Sequence, residues 1–116
     1  MAKTDSVRAV FGGEELTFRL SRESLRIGLF EASARAGSYD ILRACLAGSW
    51  THEQLKAVLS FAHPLGFAES RESVERVLGN GAAVYSMLAT KILEAQLFGI
   101  EEAEAAFDET KVEEPA

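Results

Sequence analysis

Apolar and polar positions alternate with a period of two near the start of the chain and with a period near 3.6 afterwards. Over residues 7–11, VRAVF, an extended chain puts Val7, Ala9 and Phe11 on one side and Arg8 and Val10 on the other. Residues 15–20 repeat the pattern, with Leu16, Phe18 and Leu20 opposed by Glu15, Thr17 and Arg19. Gly12-Gly13 between them signals a hairpin turn, because both residues accept positive φ. A two-stranded hairpin with one apolar face is not stable alone, so it is expected to lie against helices.

The helical period begins at Ser21, an N-cap candidate. Residues 22–36 predict a helix whose stripe is Leu25, Leu29, Ala32 and Ala36, joined by Phe30, with Gly37 as its stop. Residues 39–47 predict a short second helix with Ile41, Leu42, Cys45 and Leu46 inward. Thr51 and Gln54 form a capping box that opens a third helix over residues 52–62, with Leu55, Val58 and Leu59 buried. Pro64 ends it by disfavouring helix at His63. Ser70 is placed as the cap of a fourth helix over residues 71–78, with Val74, Val77 and Leu78 inward. After Gly79-Asn80-Gly81 comes AAVYSMLATKILEAQLF, residues 82–98, in which twelve of seventeen positions are apolar. Val84, Tyr85, Leu88, Ile92 and Ala95 share one face, and Ala82, Ala89 and Leu93 widen it. A helix so apolar belongs at the centre, packed on more than one side. Lys91 and Glu94 and the short length exclude a membrane span. The fold class expected is α+β and predominantly helical: an N-terminal β-hairpin packed on a bundle of about four to five helices.

Charge changes the picture mainly at the end. The 116 residues carry a formal charge of −6, and residues 101–116 hold seven acids and one base, so that residues 1–100 are neutral overall. This divides the chain into a hairpin-plus-helices domain, residues 1–100, and an acidic tail, residues 101–116. The tail is expected to continue as a frayed helix through Phe107 and to be disordered beyond about Asp108. The polar residues 1–6 are expected to be loose. A neutral folded part has no basic excess for phosphates, so nucleic acid is not an expected partner. A single cysteine, Cys45, and a start without a signal-peptide pattern fit a cytoplasmic protein without disulfides.

Catalytic chemistry finds little support. His52 sits in a first helical turn, where solvation is expected, and His63 sits at a helix end, where the helix dipole mildly favours a cationic imidazole. Neither has a second ligand at metal spacing, and Cys45, between Leu42 and Leu46, reads as an inert thiol. Gly12-Gly13 and Gly79-Asn80-Gly81 lack the strand and helix context of a phosphate loop. No enzyme activity, cofactor, metal or small-molecule substrate is expected. Binding has better candidates. Met87, Lys91, Glu94 and Phe98 share the face of the last helix opposite its core stripe. They are either a contact for another chain or a surface covered by the tail or by a neighbouring helix. Trp50, with Phe61 and Phe67, is either a loop-packing aromatic or a binding anchor.

The order of segments resembles one family. VRAVFGGEELTFRL, SYDILRACLAG, THEQLKAVLSFA, SRESVERVLGNG and AAVYSMLATKILEAQLFG follow one another from Val7 to Gly99 as in the tail assembly chaperones of gene transfer agents and related siphophages and prophages. These are small proteins encoded just before the tape measure, and some are also labelled tail tube proteins. The resemblance implies a non-enzymatic factor that binds the long helical tape measure protein, or other tail proteins, during virion assembly. It leaves open self-association and the alternatives of a structural tail component (a tube or connector subunit) or a small bacterial adaptor domain. The acidic tail departs from the family pattern.

Overall fold

A computed structural model describes residues 2–112. Its sheet elements are β1 (Lys3–Thr4), β2 (Val7–Phe11) and β3 (Glu14–Phe18) at the start and β4 (Ile100–Glu101) and β5 (Ala106–Asp108) at the end. Between them run α1 (Ser24–Ala34), α2 (Ser38–Ala47), α3 (His52–Ala62), α4 (Phe67–Leu78) and α5 (Ala82–Phe98). The class is α+β and predominantly helical, with the hairpin ahead of five helices.

The hairpin forms as its alternation dictates. Gly12 and Gly13 adopt φ of 61° and 81°, the left-handed pair that a two-residue turn requires. The resulting register pairs Val7 with Phe18 and Phe11 with Glu14. Val7, Ala9, Phe11 and Phe18 all turn inward and are buried. Phe11 meets Phe18 and Tyr85 of α5 edge to face, at 5.5 and 5.2 Å between ring centroids. Those contacts tie the sheet to the helical layer.

The spine α5 has the bounds its composition predicts. Leu88, Ala89, Ile92, Leu93 and Ala95 are at most 1% exposed, because α2 and α3 pack against this helix and β2 crosses it. Gln96 is also buried and donates its amide to the Ser21 carbonyl at 3.1 Å, fastening the spine to the link before α1. The capping box of α3 is complete. Thr51 Oγ1 accepts from the Gln54 N–H at 3.1 Å, and Gln54 Oε1 accepts from the Thr51 N–H at 3.0 Å.

Four expectations need correction. First, α1 is shorter than residues 22–36 and buries a different face. It ends where Arg35 takes a left-handed φ of 57°, and Gly37 precedes α2 instead of closing α1. Phe30 and Ala34 are buried, whereas Leu25 and Leu29 are 71% and 57% exposed. The helix packs mainly on α3, and the larger Phe30 takes that contact by meeting Phe61 edge to face at 5.7 Å. Leu46 of α2 is likewise exposed, since α2 meets α5 through Ile41 and Leu42.

Second, α4 starts at Phe67, four residues before the expected start. Phe67 stacks on Phe61 at 4.5 Å, which draws the chain into the helix early. Ser70 is therefore no cap: its buried hydroxyl lies 2.6 Å from the Gly66 carbonyl and 3.2 Å from that of Ser60. Third, the cationic imidazole that the helix dipole would mildly favour at His63 gives way to burial. His63 is buried against the Phe18 ring, and its Nδ1 accepts from the Leu65 N–H at 3.1 Å. Burial pushes its pKa down, against a smaller upward pull from Glu14, so the neutral imidazole is favoured.

Fourth, the chain end described here is neither a continuation of α5 nor loose: its strands alternate with 3-10 turns at Glu102–Glu104 and Glu109–Lys111. β4 pairs antiparallel with β1, which makes the expected loose start a strand, and β5 pairs parallel with β2. Ala105 and Phe107 are buried, and Ile100 and Val112 pack on the core from the side. Glu102 and Glu104 face outward while Glu101, Asp108 and Glu109 are half-buried, so an acidic composition coexists with an inward set of apolar residues. Residues 100–112 thus act as a strap across the hairpin. The final acids Glu113 and Glu114 lie outside the described residues.

Candidate functional site

Two surfaces and one clasp stand out once the core is accounted for. The first surface is the outer face of α5. Met87 and Phe98 are 51% and 60% exposed, as the helical spacing predicts for the side opposite Leu88 and Ile92. Lys91 and Glu94 lie half-buried between them. Lys91 does not serve as a free cation for a partner: its Nζ donates to the Glu104 carbonyl at 2.7 Å and holds the strap. The face is therefore partly used by the chain itself, with Met87 and Phe98 left open. Trp50 does not join it. Trp50 is half-buried and packs against the core at the α2–α3 link.

The second surface escaped the sequence. Leu25 and Leu29 of α1 face the α3–α4 link across an open groove of about 780 Å³, whose far wall includes Phe61, Leu65 and Phe67. Leu65 is 67% exposed. The groove exists because Phe30 takes the inward position of α1 and leaves Leu25 and Leu29 largely exposed. Its rim is charged but paired: Arg19 is held by Asp5 at 2.8 Å and Arg26 lies 3.6 Å from Glu23, while beyond the lining Arg71 sits over the Phe67 ring at 5.9 Å. Exposed aliphatic side chains beside fixed aromatics suit the apolar face of an amphipathic helix.

The clasp closes the strap. One carboxylate, Glu109, accepts from the Gly12 N–H at 2.9 Å, the Gly13 N–H at 2.8 Å and the Tyr85 hydroxyl at 2.7 Å. Partial burial raises the Glu109 pKa, but the bonds from Tyr85, Gly13 and Gly12 outweigh it and the net shift is downward. The same burial and carboxylate push the Tyr85 hydroxyl well up. A carboxylate with a lowered folded pKa stabilises above its unfolded value and loses that contribution as pH falls through the folded value. Melting temperatures of the wild type and Glu109→Gln should accordingly differ most near neutral pH. The gap should close as the pH falls below about 4.5, the ordinary value for this group. A constant gap from pH 7 to pH 3 would show that the carboxylate charge is irrelevant to the clasp.

The remaining titratable groups are structural. His52 Nε2 lies 2.8 Å from Glu75 Oε1, and Lys56 Nζ lies 3.2 Å from Glu75 Oε2, so His52 joins α3 to α4 at the surface. Cys45 is half-buried, and burial pushes its thiol up against a weaker opposing hydrogen bond with Thr90. Among the described residues, no group of three or more His, Cys, Asp or Glu is placed to hold a metal ion, and no helix is long and apolar enough to cross a membrane. Neither a family model, nor a curated protein, nor a solved structure matches the chain.

Proposed function

We propose that this protein is a non-enzymatic, cytoplasmic assembly chaperone of the phage-tail type that holds the helical tape measure protein before tail subunits enclose it. The observation that carries the reading is the α1 groove, in which Leu25, Leu29 and Leu65 stay exposed beside Phe61 and Phe67. An unassembled tape measure exposes apolar helical faces, and a groove of aliphatic and aromatic side chains covers such a face. The order of segments shared with tail assembly chaperones supports the same reading. Met87 and Phe98 on α5 add a second contact for the same long partner.

The test is capture of a co-expressed tape measure segment by full-length chain. The pair Leu29→Asp and Leu65→Asp is expected to reduce capture at least tenfold, while the melting temperature stays within a few degrees because both positions are exposed. Loss of capture by Met87→Asp with Phe98→Asp, and not by the groove pair, moves the contact to α5. Unchanged capture in both pairs, or the chain found at stoichiometric copy number in purified particles, overturns the chaperone reading.

A further inference from the structure

The strap is built like a bound ligand. Its contacts reach elements far away in sequence. The Arg8 N–H donates to the Ala105 carbonyl at 3.0 Å, and β5 continues the ladder along the edge of β2. Phe107 fills an apolar seat beside Tyr85, with ring centroids 6.2 Å apart. Two residues on, Glu109 reaches the paired amides of Gly12 and Gly13 and the Tyr85 hydroxyl. The seat is fixed from beneath. A Cβ on Gly12 would come within 2.8 Å of Val77 Cγ2, so the turn lies pressed on α4 and its amides keep their direction. A strand edge, an aromatic seat and an amide pair for a carboxylate together form a recognition site for an extended segment. The strap itself is attached to the spine through one residue, Gly99, at φ 73° and ψ 150°.

We infer that this site also accepts the strap of a second copy of the chain, so that two molecules associate by exchanging residues 100–112. The occupant follows from the fit: the strap's Phe107 and Glu109 match the seat and the amide pair, and every copy carries the same segment. Exchange keeps every strap contact and changes only which molecule supplies it, a low-cost route to a dimer. Short strands hold the strap, two residue pairs at β4 and three at β5, so it opens without unfolding of the helices. In a lone molecule the tethered strap competes at an effective concentration on the order of millimolar. Exchange therefore becomes important where copies are crowded together, as on one long partner. The inference does not depend on the identity of that partner.

Two measurements test it. In the first, a labelled synthetic peptide spanning residues 100–112 is added to the full-length Phe107→Ala chain, whose own strap is weakened. Binding is expected with shifts at the Gly12 and Gly13 amides, and a peptide carrying the Phe107→Ala change should bind at least tenfold more weakly. In the second, wild-type chains bearing two different tags are mixed at about millimolar concentration, diluted and captured through one tag. Recovery of the second tag is expected for wild type and its loss for Phe107→Ala. If the Phe107→Ala chain fails to fold, the mixed-tag experiment on wild type decides alone. Absence of mixed-tag recovery overturns the inference, as does absence of peptide binding by a folded Phe107→Ala chain.

Discussion

Replacing Phe107 by alanine is expected to destabilise the protein by about 3 kcal/mol, the low end of the range for truncating a buried Phe. The low end applies because the strap lies at a sheet edge, where the vacated seat partly collapses. The size of the effect is the point, since Phe107 stands in a segment whose composition reads as solvated tail. It is only 6% exposed, it lies opposite Ala9 in the ladder, and it packs beside Tyr85. For a domain of this size a loss of this order lowers the melting temperature by about 15 °C. Calorimetry on wild type and Phe107→Ala measures it. A loss below about 0.5 kcal/mol, the usual scale of a surface change, would mean that the strap adds nothing to the fold.

Local signals made much of the fold legible. Alternation around Gly12-Gly13 encodes a hairpin because pleat and turn are properties of neighbouring residues. Thr51 and Gln54 encode a helix start because both bonds of the box close within four positions. The bounds of α5 follow from an apolar run that ends at Gly99. The strap was hidden for the opposite reason. Glu109 meets Gly13 across 96 positions of sequence, and no periodicity reports a parallel pairing made by three residues. The acids around Ile100, Ala105, Phe107 and Val112 then dominated the reading.

The candidate site divides in the same way. Met87 and Phe98 are exposed as expected because the position of Leu88 and Ile92 fixes the opposite side of one helix. The α1 groove was not legible, because α1 carries two apolar edges and periodicity cannot rank them. Contact with Phe61 selected the edge that bears Phe30, and only that choice left Leu25 and Leu29 facing Leu65.

The largest effect is expected on the spine, where two substitutions of the same kind should give opposite outcomes five positions apart. Ile92→Asp places a carboxylate where the side chain is 1% exposed and where Leu88 and Leu93 are fully buried. Among the described residues no lysine or arginine is buried, so ionisation there costs several kcal/mol and protonation at neutral pH costs nearly as much. Adding the lost packing of the isoleucine brings the total to the scale of a whole domain's stability, about 5–15 kcal/mol. The variant is expected to show no cooperative melt and no near-ultraviolet signal from Trp50. Met87→Asp, at a position 51% exposed, should change stability by no more than about 0.5 kcal/mol. A cooperative native-like melt for Ile92→Asp would contradict the packing of α2, α3 and the hairpin on this helix. A collapse of Met87→Asp would show that the outer face is covered, and a covered face is not free to bind. Only the divergent pair of outcomes lets one helix hold the core together on one side and stay available to a partner on the other.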